Sequence, residues 1–167
     1  APPTDWRLRA LKQASVYYTP PDAAAERALA ATFARIAHGT PRQHPVLTIN
    51  DRPIAARAEA GGVVWFDFSA LCEGPRGVAD YIELAKAYHT IFVSNLPQFT
   101  PQTEDAARRF IELVDELYDR GVNLVLSAAT PIVELYDGER LRAQFARTES
   151  RLIEMQSEDY LARDHAA

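Results

Sequence analysis

Arg140, Arg147 and Arg151 stand seven and four residues apart near the end of the chain. On a helix that spacing puts them on one face. Guanidinium groups presented in this way suit bidentate hydrogen bonding to phosphates or to carboxylates of a partner. Glu154 lies three residues past Arg151 and offers the competing reading, in which the stripe is neutralised within its own helix. A second polar set, Ser94 with Asn95 and Ser127, follows apolar runs. Small polar residues there suit a phosphate sensor or a water-positioning group, or they simply turn the chain. Arg7 and Arg9, flanking Leu8, form a weaker basic spot.

Other chemistries find little support. Val114-Asp115-Glu116 has the look of an acidic magnesium site, but Glu112 interrupts the run and the helical period is strong, so a solvated helix face is expected. The four histidines, His38, His44, His89 and His165, show no metal-ligand spacing, and no metal is expected. His89, just before an apolar run, reads as a capping or buried hydrogen-bonding residue. The lone Cys72 follows Ala70-Leu71 and reads as core; with one cysteine there is no internal disulfide and no cysteine-cluster zinc site. No glycine-rich phosphate loop occurs, so no catalytic residue is assigned and the chain alone is expected to be inactive as an ATPase.

The elements that would position these groups follow from periodicity. Val63–Phe68, Thr90–Ser94 and Val122–Ser127 are strand-like, the last two almost continuously apolar, as strands covered on both faces should be. Between them lie helical stretches at Val78–Tyr88 and Glu104–Arg120. In the second, Phe110, Leu113, Val114, Leu117 and Tyr118 share a face, Pro101 suits the first turn and Gly121 the C-terminal stop. A further helix is expected over Glu139–Met155. Strand and helix in alternation predict parallel pairing with right-handed crossovers. Ligands in such sheets gather at the carboxyl ends of the strands, where Ser94, Asn95 and Ser127 would lie.

The first part has another rhythm. Residues 1–22 are Pro-rich, with Leu8, Leu11 and Val16 allowing a short helix or strand. Asp22 suits an N-cap for a helix over Ala23–Ala37, and Val46–Ile49 before Asn50-Asp51 suggests a hairpin or edge strand. The expected architecture is α/β: a three-layer, partly parallel sheet with flanking helices (residues 61–167), preceded by a small helical, lid-like segment with a short hairpin (residues 1–60). The net charge of −5 argues against nonspecific nucleic-acid binding. No apolar run approaches the roughly 20 residues that span a bilayer. The chain begins at Ala1 and has its one Met at position 155, and so reads as a piece of a longer protein.

Several runs resemble the ZapE-type, or AFG-like, ATPases: Ala107 to Arg120, Asp80-Tyr81-Ile82, His89-Thr90, Leu135-Tyr136, Arg147-Thr148 with Ser150-Arg151-Leu152, and Glu154 to Glu158. Asp5 to Arg9 resembles the aspartate-aromatic-arginine segment that follows the family's nucleotide-binding core. Ala129, where family members usually carry an acid, and Glu149, where they usually carry an apolar residue, depart from the pattern. The resemblance implies a P-loop ATPase related to the AAA+ group, using ATP and Mg2+ held by an N-terminal half. It implies a cytoplasmic cell-division protein that works at the division site and destabilises FtsZ polymers. This chain would be the C-terminal half, with its own N-terminal P-loop half, FtsZ and further copies of itself as expected partners. Arg7, Arg147 and Arg151 match the family pattern and are the expected nucleotide-sensing residues, with Ser94, Asn95, Ser127 and Arg140 as secondary ones. The alternative is a protein-interaction module that never contacts nucleotide.

Overall fold

The computed structural model describes residues 3–166, with side chains from Arg7 onward. Its centre is a six-stranded sheet built from β1 (Tyr17–Tyr18), β2 (Arg42–Gln43), β5 (Ala58–Ala60), β6 (Val63–Asp67), β7 (Thr90–Leu96) and β8 (Asn123–Ala128), ordered β1-β8-β7-β6-β5-β2. β1, β8, β7 and β6 run parallel; β5 and β2 add antiparallel at one edge. A separate hairpin pairs β3 (Val46–Ile49) with β4 (Arg52–Ala55), turning at Asn50 and Asp51, both at positive φ.

Alternation along the central strands sorts their side chains into two cores. Val63, Trp65, Phe92 and Val125 face one side, where α1 (Pro3–Gln13) and α2 (Ala23–Ile36) bring Ala10, Leu11, Leu29, Phe33 and Ile36. Val64, Phe66, Ile91, Val93, Leu124 and Leu126 face the other. There they meet α3 (Phe68–Cys72), α4 (Val78–Ala87), α5 (Glu104–Asp119) and α6 (Arg142–Glu154). The sheet is thus the middle of three layers, and its strands are apolar on both faces because both are covered. A short α7 (Glu158–Leu161) follows, and the Tyr160 hydroxyl donates to Val122 O at 2.6 Å, tying the end of the chain to the start of β8.

Local signals account for most element ends. The Asp22 carboxylate accepts from Ala25 N at 2.9 Å and caps α2. Gly121, at φ +66°, stops α5 with Asp164 O 2.8 Å from where a Cβ would stand. The Pro-rich start forms α1, whose Ala10 and Leu11 are held down by packing on α2 and the sheet. The helix expected from Glu139 begins at Arg142, because Leu141 N donates to the Tyr136 hydroxyl and Gly138 packs against Tyr136 and Glu104. β1 and β2 both precede residue 61 and hydrogen-bond into the main sheet, and the turn at Gly61-Gly62 joins β5 to β6 across that point.

Candidate functional site

The carboxyl ends of the parallel strands gather one polar constellation. β6 ends at Asp67, which stands beside Ser94 of β7 in register. A register shift between Val93 and Leu96 leaves Asn95 at φ +66°. That bulge turns the Asn95 N–H onto Ser127 Oγ at 2.9 Å and brings its amide to Asp67 Oδ1 at 3.3 Å. Arg57 completes the group, donating to Asp67 at 2.6 Å and to Glu26 of α2 at 2.5 Å, with its guanidinium 5.2 Å from the Trp65 ring centre. Burial works against the Arg57 charge, but the hydrogen bonds to Asp67 and Glu26 outweigh it and hold its pKa above the ordinary value. Cavities of about 350 and 440 Å³ flank Arg57, one lined by Phe33 and Trp65, the other by Asp67 and Ser69.

Ser94 has a different task. It is fully buried and accepts from Trp65 Nε1 at 3.0 Å, so its hydroxyl is committed to the core. Ser127 is fully buried too and is used by the Asn95 backbone. Both stand at the sheet edge where the sequence puts them, in contact with neighbouring residues of the sheet.

The arginines separate into three places. Arg147 and Arg151 lie together on α6 and converge on Asp115 of α5: Arg147 Nη2 is 3.4 Å from Asp115 Oδ2, and Arg151 Nη1 bonds Oδ1. Arg151 also stacks on Tyr118, its guanidinium 4.8 Å from the ring centre. Glu154 accepts from the Tyr118 hydroxyl, so the carboxylate that meets Arg151 comes from the neighbouring helix. Asp115, expected on a solvated helix face, is therefore the organiser of the pair, and only the docking of α6 on α5 reveals it. Arg140 is exposed in the turn before α6, off the helix that carries the other two. Arg7 is buried on α1, across the sheet from α6. One small ligand cannot touch Arg7 and the α6 pair together in this arrangement, because the sheet stands between them.

Other titratable groups are structural in character. The Cys72 thiol is fully buried and pushed up to about 12 by burial, which keeps it protonated and unreactive. Asp80 is almost wholly buried and accepts from Arg52, from Gly77 N at 3.0 Å and from Asn50 at 3.3 Å. These hydrogen bonds overcome the opposing effect of burial and hold its carboxyl below the usual range. Asp80 fastens the β3–β4 hairpin to α4; the sequence signals only a helix start there. Among the described residues no group of three His, Cys, Asp or Glu side chains could hold a metal, and no helix is long and apolar enough to cross a membrane.

Comparison with known proteins places this arrangement. The sequence pattern of the AFG1-like ATPase family matches residues 1–164. The cell division protein ZapE of Escherichia coli (strain K12) is 41% identical over 163 residues, covering 98% of this chain and 44% of ZapE. The zebrafish (Danio rerio) lactation elevated protein 1 homolog B is 31% identical over 194 aligned positions, covering 93% of this chain and 38% of that protein. The chain thus spans less than half the length of the curated relatives it matches. No solved structure matches it significantly. With the match running through both faces of the sheet and all of its helices, the chain belongs to the AFG1-like ATPase family.

Proposed function

We propose that this chain is the C-terminal half of a ZapE-like cell-division ATPase, and that it reads nucleotide state and presents a surface to a protein client. The observation that carries this reading is the alignment to ZapE along 98% of the chain. ATP and Mg2+ belong to the N-terminal half in this scheme, since this chain has no glycine-rich loop to cradle the β- and γ-phosphates. Hydrolysis in the complete cytoplasmic protein is coupled to destabilising FtsZ polymers at the division site.

The residues of this chain that fit a phosphoryl group are Arg147 and Arg151. Their guanidinium groups are fixed side by side on Asp115, which pre-orients them at little further entropic cost. Such cations stabilise the charge that develops on a transferred phosphoryl group. Arg7 is assigned a sensing role on the other face, and residues 1–60 a lid-like one. The carboxyl-edge constellation fits a triphosphate poorly, because Arg57 is already neutralised by Asp67 and Glu26. The exposed Asn95 and Arg140 are better placed to meet a client or the N-terminal half, whereas Ser127 is buried and supports the Asn95 backbone from within.

The test is Arg151→Ala in the complete protein. Turnover of ATP should fall by about tenfold or more, in line with lost charge stabilisation at phosphoryl transfer. Unchanged turnover removes the sensor assignment. Sedimentation of FtsZ polymers with and without ATP tests the client. Binding of FtsZ to this chain alone, with no nucleotide present, favours the interaction-module alternative.

A further inference from the structure

The outer edge of the sheet bends where two cavities meet. β2 leads into β3 and β4 into β5, and both stretches bend at one point: Gln43 pairs with Ala58 on one side of it and Val46 with Ala55 on the other. Between these pairs His44 N donates to Arg57 O at 2.8 Å and Ala56 N donates to Pro45 O at 3.0 Å, with His44 at φ +50°. His44 and Arg57 line both cavities. The cavity of about 350 Å³ lies on the β2 side, walled by Phe33 and Trp65 and by the exposed Ala30 and Ala34 of α2. The cavity of about 440 Å³ lies on the hairpin side, walled by Ala55, Ala56 and Ala70 with Asp67 and Ser69. Val46, 67% exposed and paired with Ala55, carries the apolar surface on over the hairpin.

The polar groups between the cavities suit a cation. Among the described residues Arg57 is the one arginine or lysine lining either cavity, and Asp67 and Glu26 share it. Asp67 takes its side-chain hydrogen bonds from Arg57 and Asn95 on Oδ1 and does not cap α3, which leaves Oδ2 for a further donor. Glu26 Oε1 likewise has no hydrogen-bond partner among the described residues. The Asp67 side chain is 43% exposed and so can be reached from outside. A phosphate-bearing ligand would meet two carboxylates here and be repelled. A lysine fits instead: its stem can lie along Ala55, Ala56 and Ala70 while its ammonium meets Asp67 Oδ2. The backbone favours a peptide as the carrier. β2 is last in the sheet order, so it has a strand on one side only, and an open strand edge pairs with an extended chain. In such a chain residues two apart point the same way, about 7 Å from each other. One apolar side chain then enters the Phe33–Trp65 cavity while a basic one reaches Asp67 across Arg57.

We infer that this bent outer edge docks an extended segment of a partner protein, in which an aromatic or aliphatic side chain stands two residues from a lysine or arginine. The docking edge rests on the protein-client part of the proposed function and is independent of the assignment of Arg147 and Arg151. It is tested on this chain with the capped peptide Gly-Lys-Ser-Phe-Ser-Lys-Gly, which offers the pairing in both chain directions, while the Arg57 Nε–H and the Trp65 indole N–H are followed by NMR. A saturable shift of both signals is expected at or below about 1 mM peptide. Replacing the peptide's Phe by Gly, or both of its Lys by Glu, should weaken binding by about tenfold or more. Ala34→Trp fills the first cavity from an exposed helix position, and Ser69→Lys sets a competing ammonium beside Asp67 at another exposed position. Each should weaken the peptide to a similar degree. Absence of a saturable shift in the unaltered chain overturns the inference, as does equal affinity for the Glu peptide or in folded Ala34→Trp and Ser69→Lys variants. Shifts of the same signals with chain concentration alone give the edge to a second copy, and saturation by butylamine in the same range gives it to a small amine; either result also overturns it. Peptide binding with no effect of the protein on FtsZ polymers keeps this edge and removes FtsZ as the client, whereas FtsZ binding without peptide binding does the reverse.

Discussion

Replacing Asp80 with Asn should destabilise the fold by roughly 3 kcal/mol, and the structure says where that comes from. The carboxylate is almost wholly buried and accepts from Gly77 N at the start of α4, from Asn50 and from Arg52. Loss of the Gly77 bond removes a helix cap, worth about 1 kcal/mol. The Arg52 side chain is 42% exposed, so the ion pair is discounted for solvent to about 1 kcal/mol or less. The remainder is the cost of burying an amide NH2 against the donors that the carboxylate had satisfied, about 1–2 kcal/mol. For a chain of 167 residues that total lowers Tm by about 6–12 °C. The sign with pH follows from a folded-state pKa below the unfolded one: the stabilisation is present above the unfolded pKa near 3.9 and is lost as pH falls through the folded value. Urea titrations of both forms from pH 7 to pH 2.5 give the measurement. The gap between the two curves should narrow toward the acid end. A gap below 0.5 kcal/mol at pH 7, or one that does not narrow on acidification, refutes the reasoning.

Other substitutions test other joints of the molecule. Ser94→Ala should cost about 1–3 kcal/mol by stranding Trp65 Nε1 in the core, and in a urea double-mutant cycle Trp65→Phe should recover part of that cost. Phe99→Ala should cost about 3–5 kcal/mol in denaturant unfolding, because Phe99 is fully buried among Phe68, Phe110 and Phe145 with ring centres 5.6 Å away in each pair. His89 is held to about 4 by burial and by the charge of Arg7, below the 6.5 of the free side chain. Stability should therefore rise with pH between about 4 and 6.5, by up to about 1.4 kcal/mol per unit, and His89→Gln should flatten that slope.

Much of the fold was legible along the chain. Apolar runs bounded by turn residues marked β6, β7 and β8, and the helical period marked α2, α4 and α5, because burial on both faces or on one stripe leaves a local imprint. The separation of the arginines was not legible. Spacing put Arg140 on the same helix as Arg147, but the bond from Leu141 N to the Tyr136 hydroxyl starts that helix later. The same limit hid the role of Asp115, since a carboxylate on a polar helix face looks alike whether it meets water or two guanidinium groups.

The sequence by itself determined the element types, the double covering of the central strands and the membership of an ATPase family, because periodicity and motif runs are properties of neighbours along the chain. Tertiary structure alone decided which polar groups meet. Asn95 reaches Ser127 only because β7 bulges beside β8, and Arg57 bridges Glu26 and Asp67 only because α2 folds back over the sheet. Hydrogen bonds and charges act over a few ångströms, and contacts at that range between distant segments exist only once the chain has packed.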